Sequence, residues 1–331
     1  MTESFTAPSG TDSEVTFESR GITFYGSLRT PSASQRSDLA VLLLPGSGPT
    51  DRNGNQESAM VFPNTLAHVA DALATQGIPT LRFDKLGSGR TGLGDTSPND
   101  LDYGFDMQVE DAQAALELLG DLTATTTTRR VVLGHSEGAL TALALQQRTA
   151  MPIAGLGLLQ PLSQRYLDLL SYQINASLDR NVQTRHLSEA DADTTRGSLA
   201  RTVQSLRESG TIPADQNPLL ETAGFVPVNA RFLSEADRYD PAELAAALPH
   251  SMPILITCSE KDLNVSCDQV QRLHSALTPE ASTFVQLASA NHGLGDIGVL
   301  APGQWDAMAP LPLSGQFTQA LTQWTKSLEH R

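Results

Sequence analysis

The run Leu39–Leu44, "LAVLLL", is apolar at every position and stops at Pro45-Gly46. A strand with one face in water alternates polar and apolar side chains, so a run with no polar member reads as a strand covered on both faces. Comparable runs recur at 79–83, 130–133, 153–159, 253–257 and 283–287, and helical spacing fills the intervals at 65–75, 105–119, 139–148, 267–277 and 315–328. Parallel strands need a long crossover, usually a helix, so this repetition predicts a mostly parallel sheet between two helical layers. Ahead of it, 14–18 and 21–30 alternate around Arg20-Gly21, which predicts a β-hairpin.

The rhythm breaks at 161–248. That stretch holds no strand pattern, only helix-like segments at 166–178, 188–209 and 228–238 and a Pro/Asn-rich bend at 212–218. The chain thus divides into an α/β core, 1–160 with 249–331, and an inserted helical cap, 161–248; insertions beside strand ends commonly form lids. Apolar positions in the cap (Leu162, Tyr166, Leu169, Leu170, Phe225, Phe232) have spacings that would face a pocket, interrupted by Arg165, Asp168 and Arg231; the alternative, expected for most of them, is that they only pack the cap onto the core. The threonine run 123–128 reads as a surface loop.

The formal charge of −15 over 331 residues argues against a nucleic-acid groove, because phosphate binding needs a surplus of Lys and Arg, and disfavours docking on anionic membranes. A small-molecule partner remains, and the oligomeric state is not legible. The N-terminus "MTESFTAPSGTDSEVTF" has neither a basic n-region nor an apolar h-region, so a cytoplasmic location is expected. On that reading Cys258 and Cys267 are favoured as free thiols, although they bracket a loop that a bridge would clamp.

Gly134-His135-Ser136-Glu137-Gly138 fits G-x-S-x-G. The motif alone is weak, but its place directly after a strand pattern and directly before a helix pattern is what a nucleophile elbow requires. The glycines admit a strained serine and the close passage of neighbouring chains. A serine hydroxyl needs a base to become a nucleophile, and in this arrangement an acid and then a histidine follow it in the chain. His250 precedes any suitable acid loop, His274 falls inside a helix pattern, and His330 is in the tail; His292, in "SANHGLGD" after a strand, is the candidate base. Asp262, in "LITCSEKDLNV", is the candidate acid; Glu260 comes early and Asp268 falls at a helix start, where capping suits it better. For an oxyanion, the N–H of Glu137 behind the serine pairs with that of Ser47 in the turn Pro45-Gly46-Ser47-Gly48-Pro49, with Gly48 as the alternative to Ser47.

Two other motifs lead nowhere. Gly87-Ser88-Gly89-Arg90-Thr91-Gly92 satisfies G-x-G-x-x-G, but no helix pattern follows it, as a dinucleotide site would need. His135-x-Glu137 resembles half of a zinc-deaminase signature without its Pro-Cys-x-x-Cys. No metal and no cofactor is called for.

Together, "PGSGPTDRNGN" (45–55), "FDKLGSGRT" (83–91), "GHSEG" (134–138), "RYDPAELAAAL" (238–248) and "NHGL" (291–294) resemble the α/β-hydrolase superfamily. Within it they are similar to a group of bacterial carboxylesterases related to the serine-aminopeptidase-like hydrolases. The resemblance implies an eight-stranded, mostly parallel sheet with an inserted helical cap. It also implies Ser136 as nucleophile, His292 as base, Asp262 as acid, and Ser47 and Glu137 as oxyanion donors. Cys258-Ser259, where the family loop usually begins with glycine, and Leu86, where an arginine is common, depart from the pattern. The expected activity is hydrolysis of carboxylic esters of short or medium acyl chains through an acyl-enzyme; peptidase, thioesterase and acyltransferase chemistry on the same triad, or a non-catalytic binding fold, are the alternatives.

Overall fold

Every residue of Leu39–Leu44 is buried, and the strand they form (β3) sits well inside the sheet. The computed structural model of the chain describes residues 9–32, 37–97, 102–124, 129–308 and 310–329. The other strands are β1 (Gly10–Ser19), β2 (Ile22–Pro31), β4 (Thr80–Phe83), β5 (Arg129–His135), β6 (Ile153–Leu159), β7 (Ile254–Ser259) and β8 (Ser282–Leu287). They form one eight-stranded sheet in the order β1-β2-β4-β3-β5-β6-β7-β8. β1 and β2 are the expected hairpin, turning at Arg20-Gly21, both with positive φ, and β2 runs antiparallel to β4; all other pairs are parallel.

The period of two along β3 divides the core. Leu39, Val41 and Leu43 face a layer that includes α1 (Thr65–Ala74) and α9 (Gly315–Glu329), through Leu66, Leu73, Phe317 and Trp324. Ala40, Leu42 and Leu44 face the opposite layer, built on α2 (Phe105–Thr123) and α3 (Glu137–Arg148), with Phe105, Leu116, Leu140 and Leu143 fully buried. After β3 the chain moves outward to β4, then returns through α2 to lay β5 on the other side of β3. Strand order therefore reverses between β3 and β5, and a crevice opens at their C-terminal ends, the usual binding position in such sheets. Ser47 follows the first of these ends and Ser136 the second.

Between β6 and β7 lie only helical elements: α4 (Tyr166–Gln183), α5 (Glu189–Ser209), short 3-10 turns, α6 (Ala230–Asp237) and α7 (Pro241–Ala246). α5 is closed by Ser188, whose side chain accepts the Asp191 N–H, and by Gly210 in the left-handed region. α7 was not expected as a helix, although Asp240-Pro241-Ala242-Glu243 carries its start signal, an aspartate cap before a proline. Of the two roles open to the apolar positions of the cap, packing onto the core prevails. Leu162, Tyr166, Leu169 and Phe225 do not line a pocket; they are buried in the apolar cluster of the α2/α3 face, with Leu170 and Phe232 packed against it. Burying them against the core removes more apolar surface from water than an open cavity wall would. The threonine run is α2 as far as Thr123, and 125–128 lie outside the described residues. Among the described residues no helix is long and apolar enough to cross a membrane.

Candidate active site

Ser136 occupies the junction between β5 and α3 at φ 55°, ψ −118°, a conformation that a side-chain-bearing residue adopts only under constraint. The constraint is visible on both sides. The Ser136 N–H donates to the Leu159 oxygen at 3.0 Å, and its own carbonyl accepts the N–H groups of Ala139 and Leu162. The flanking glycines are needed because a Cβ on Gly134 would lie 2.1 Å from the Gly138 oxygen, and one on Gly138 would lie 2.4 Å from the Leu44 oxygen. The elbow is thus wedged against the end of β3.

His292 lies on the loop after β8, held by the buried Asn291, whose side chain accepts the Gly295 N–H at 2.8 Å and donates to the Asp306 carbonyl at 2.7 Å. Its Nδ1 is 2.7 Å from Asp262 Oδ2. An ionised carboxylate only accepts, so Nδ1 is the donor in this contact. The Asp262 side chain is 1% exposed, and its second oxygen accepts the N–H groups of Asn264 at 2.7 Å and Val265 at 3.0 Å. The competing residues are elsewhere engaged. Glu260 accepts from Gln286, His250 meets Thr278, and His274 stacks on Phe284; His330 lies outside the described residues. The capping role expected of Asp268 belongs to Ser266, paired with Gln269 in a capping box.

The loop carrying Asp262 is closed by a Cys258–Cys267 disulfide with a Cα–Cα separation of 5.2 Å, which corrects the expectation of free thiols. The bridge ties the end of β7 to the first residue of α8 (Cys267–His274).

Ser136, His292, Gly46 and Ser47 line one cavity of about 750 Å³. Its lining also mixes apolar Met60, Val61, Leu263 and Met308 with polar Gln173, Arg180 and Asn264. Among the described residues, neither the Ser47 nor the Glu137 N–H has a hydrogen-bond acceptor. Glu137 opens α3, where backbone donors lack intrahelical partners. His135 is half-buried beside the site, its Nε2–H donating to the His292 carbonyl at 2.7 Å with the ring centroids 4.9 Å apart. Burial, with the neighbouring His292, lowers its pKa to about 4, so it stays neutral.

Beneath the elbow lies a polar cluster whose function the residue-by-residue reading missed. The Glu137 side chain, 1% exposed, accepts from Lys85 Nζ at 2.9 Å, Gln108 Nε2 at 2.9 Å and the Tyr166 hydroxyl at 2.6 Å. Burial and the adjacent carboxylate raise the Tyr166 pKa well above its ordinary value, so the hydroxyl remains a donor. The signal was present in the motif itself: a carboxylate that the elbow forces into the core needs a buried cation. The glycine-rich turn at 87–92 is likewise structural, folding round Asp84, which accepts from the Arg52 guanidinium and the Arg90 N–H.

A sequence profile of the serine aminopeptidase S33 family matches residues 63–295. The chain belongs to that family of the α/β-hydrolase superfamily. No curated protein matches it in sequence. Solved structures of similar fold include an esterase of Pyrococcus furiosus, Pf2001 (17% identity, TM-score 0.56, covering 96% of this chain and 92% of that one). Est1E from Butyrivibrio proteoclasticus, solved with ferulic acid bound, is 14% identical at a TM-score of 0.58, covering 96% of this chain and all of that one. The proline iminopeptidase of Mycobacterium smegmatis is 16% identical at a TM-score of 0.60, covering 96% and 99%. At these identities the likeness is one of fold. The S33 protein is a hydrolase by family. Among its described residues no group of three or more His, Cys, Asp or Glu is arranged to hold a metal ion.

Proposed function

We propose that the protein is a serine esterase in which Ser136 is the nucleophile, His292 the base, Asp262 the orienting acid, and the Ser47 and Glu137 N–H groups the oxyanion donors. The observation that carries the reading is a strained serine sharing a cavity with an imidazole whose Nδ1 is held by a buried carboxylate. Ser136 Oγ attacks the ester carbonyl carbon as its proton passes to His292 Nε2. The tetrahedral oxyanion is met by the two N–H groups. The carbon–oxygen bond to the leaving group then breaks, and Nε2 returns the proton to the departing alcohol. Water repeats the sequence on the acyl-serine, releasing the acid and restoring the hydroxyl.

The family's name raises the peptidase alternative. An aminopeptidase must hold a substrate ammonium, and the charged side chains lining the cavity are Arg180, Lys261 and Asp306. Asp306 is already engaged by the Gly303 N–H and by Asn291, while Arg180 and Lys261 repel a cation. That balance favours an ester with a neutral or acidic tail, and the net charge of −15 speaks for a small molecule rather than a nucleic acid or an anionic membrane.

The test is labelling with a fluorophosphonate, together with hydrolysis of p-nitrophenyl esters and aminoacyl p-nitroanilides. Wild type is expected to label and to prefer esters. Ser136→Ala should do neither while keeping its fold, with turnover down by on the order of 10⁴ or more. Labelling that survives the substitution would sink the assignment.

A further inference from the structure

The Gly46–Ser47 peptide faces two ways. A trans peptide is planar, with its C=O and N–H pointing in opposite directions. Whatever holds the Gly46 oxygen therefore aims the Ser47 N–H. That oxygen accepts from Lys85 Nζ at 3.0 Å, and among the described residues it has no other donor. The companion peptide, Ser136–Glu137, is held differently: its oxygen accepts the N–H groups of Ala139 at 3.1 Å and Leu162 at 3.0 Å, within the turn that starts α3. The loop peptide belongs to no helix or strand, and it adjoins Gly48 at φ +73°. The next carbonyl, that of Ser47, accepts from the Thr50 hydroxyl at 2.8 Å and from the Gln56 side-chain amide, so Lys85 supplies the hold on the Gly46 oxygen itself.

Lys85 is buried, and its ammonium is compensated by the Glu137 carboxylate at 2.9 Å. Glu137 is itself held by Gln108 and by Tyr166, the first residue of α4. A buried ion pair is a poor device for stability, because apolar side chains of similar volume often serve as well or better. Its position, joining the loop after β3 to the residue that follows Ser136, points to a positional role.

We propose that Lys85 is a positioning residue for the oxyanion hole: anchored by Glu137, its ammonium holds the Gly46 carbonyl and keeps the Ser47 N–H turned into the cavity. This rests on the esterase reading, in which that N–H meets the developing oxyanion. Because the hole binds the tetrahedral state more tightly than the ground-state carbonyl, loss of the strut acts on kcat and spares KM.

The experiment compares wild type, Lys85→Met and the double variant Lys85→Met/Glu137→Met. It measures kcat and KM on p-nitrophenyl butyrate, inhibition by an alkyl trifluoromethyl ketone that adds to serine, and the thermal midpoint. Removing one oxyanion donor costs roughly 10²–10³ in kcat, so a misaimed donor is expected to cost about tenfold or more, with KM changed by less than about threefold. The ketone's inhibition constant should rise in proportion. Lys85→Met leaves a carboxylate buried without its cation and will lose stability for that reason alone. The double variant removes both charges, so its midpoint should recover while kcat does not. A double variant that regains wild-type kcat together with its stability shows a merely structural pair and overturns the inference, as does a loss confined to KM. Wild type that hydrolyses and labels at Ser136 beside an unimpaired Lys85→Met overturns the inference alone. Wild type that does neither overturns the esterase reading and the inference with it.

Discussion

Asp262 spends one oxygen on His292 and the other on two backbone N–H groups, so an amide in its place keeps the loop and loses the charge that favours the correct tautomer. Asp262→Asn is therefore expected to lower kcat by on the order of 10³–10⁴ with little change in fold. Glu260→Gln and Asp268→Asn, both facing solvent, should stay near wild type; the reverse pattern would move the acid elsewhere. His135 makes a second prediction. Its folded pKa of about 4 lies below the ordinary 6.5, so between those values the unfolded chain binds the additional proton. Its stabilisation is complete above about pH 6.5 and is lost as the pH falls towards 4, by at most about 3 kcal/mol. His68 and His274, whose pKa values burial also lowers, act in the same direction. His135→Gln keeps a donor for the His292 carbonyl but cannot titrate, so its thermal midpoint should fall less than that of wild type on acidification from pH 7 to 4.5. Parallel profiles would show that His135 contributes no part of the slope.

At the scale of elements, the acid loop is a short span between β7 and α8 closed by the Cys258–Cys267 bridge. Closing a loop of this size restricts the unfolded chain by about 2–3 kcal/mol. Reduction is expected to lower the thermal midpoint and, by loosening Asp262 against His292, to lower kcat more than KM. Thiol titration of denatured, unreduced protein should find no free thiol; two free groups would remove the bridge and this prediction with it. The bridge pulls against the cytoplasmic expectation, because that compartment keeps thiols reduced. The sequence displayed both cysteines at the right positions but not their separation, which is set by where α8 packs on the sheet.

For the whole molecule, the proposed esterase activity makes the cavity between the sheet's C-terminal edge and α4 the expected limit on substrates. The lining mixes apolar Met60, Val61, Leu263 and Met308 with polar Gln173, Arg180 and Asn264 round a space of about 750 Å³. Each methylene laid on the apolar residues gains about 0.8 kcal/mol until they are covered. Further methylenes meet polar side chains or water. Across p-nitrophenyl acetate, butyrate, octanoate and palmitate, kcat/KM is expected to rise and then fall, with the maximum at butyrate or octanoate. A steady rise through palmitate would refute the limit.

The sheet and its helices were legible because a strand buried on both faces leaves an unbroken apolar run, and a crossover helix leaves a period of 3.6. The elbow was legible too, since its glycines answer to a local clash with the neighbouring backbone. Ser136, Asp262 and His292 could be picked out by chain order, each at or after the end of a strand. Their meeting could not be read: the 2.7 Å contact between His292 and Asp262 spans thirty residues of chain and exists only because β7 and β8 are neighbours. Which residues of the 161–248 insertion reach the cavity could not be read for a related reason. A helix's apolar stripe says that one face is buried, not against what, and packing assigned those side chains to the core and left Gln173 and Arg180 to the cavity. Lys85 belongs with them. Its chemistry depends on a carboxylate fifty-two residues away, and burial of both groups under one peptide is a decision that only the tertiary structure makes.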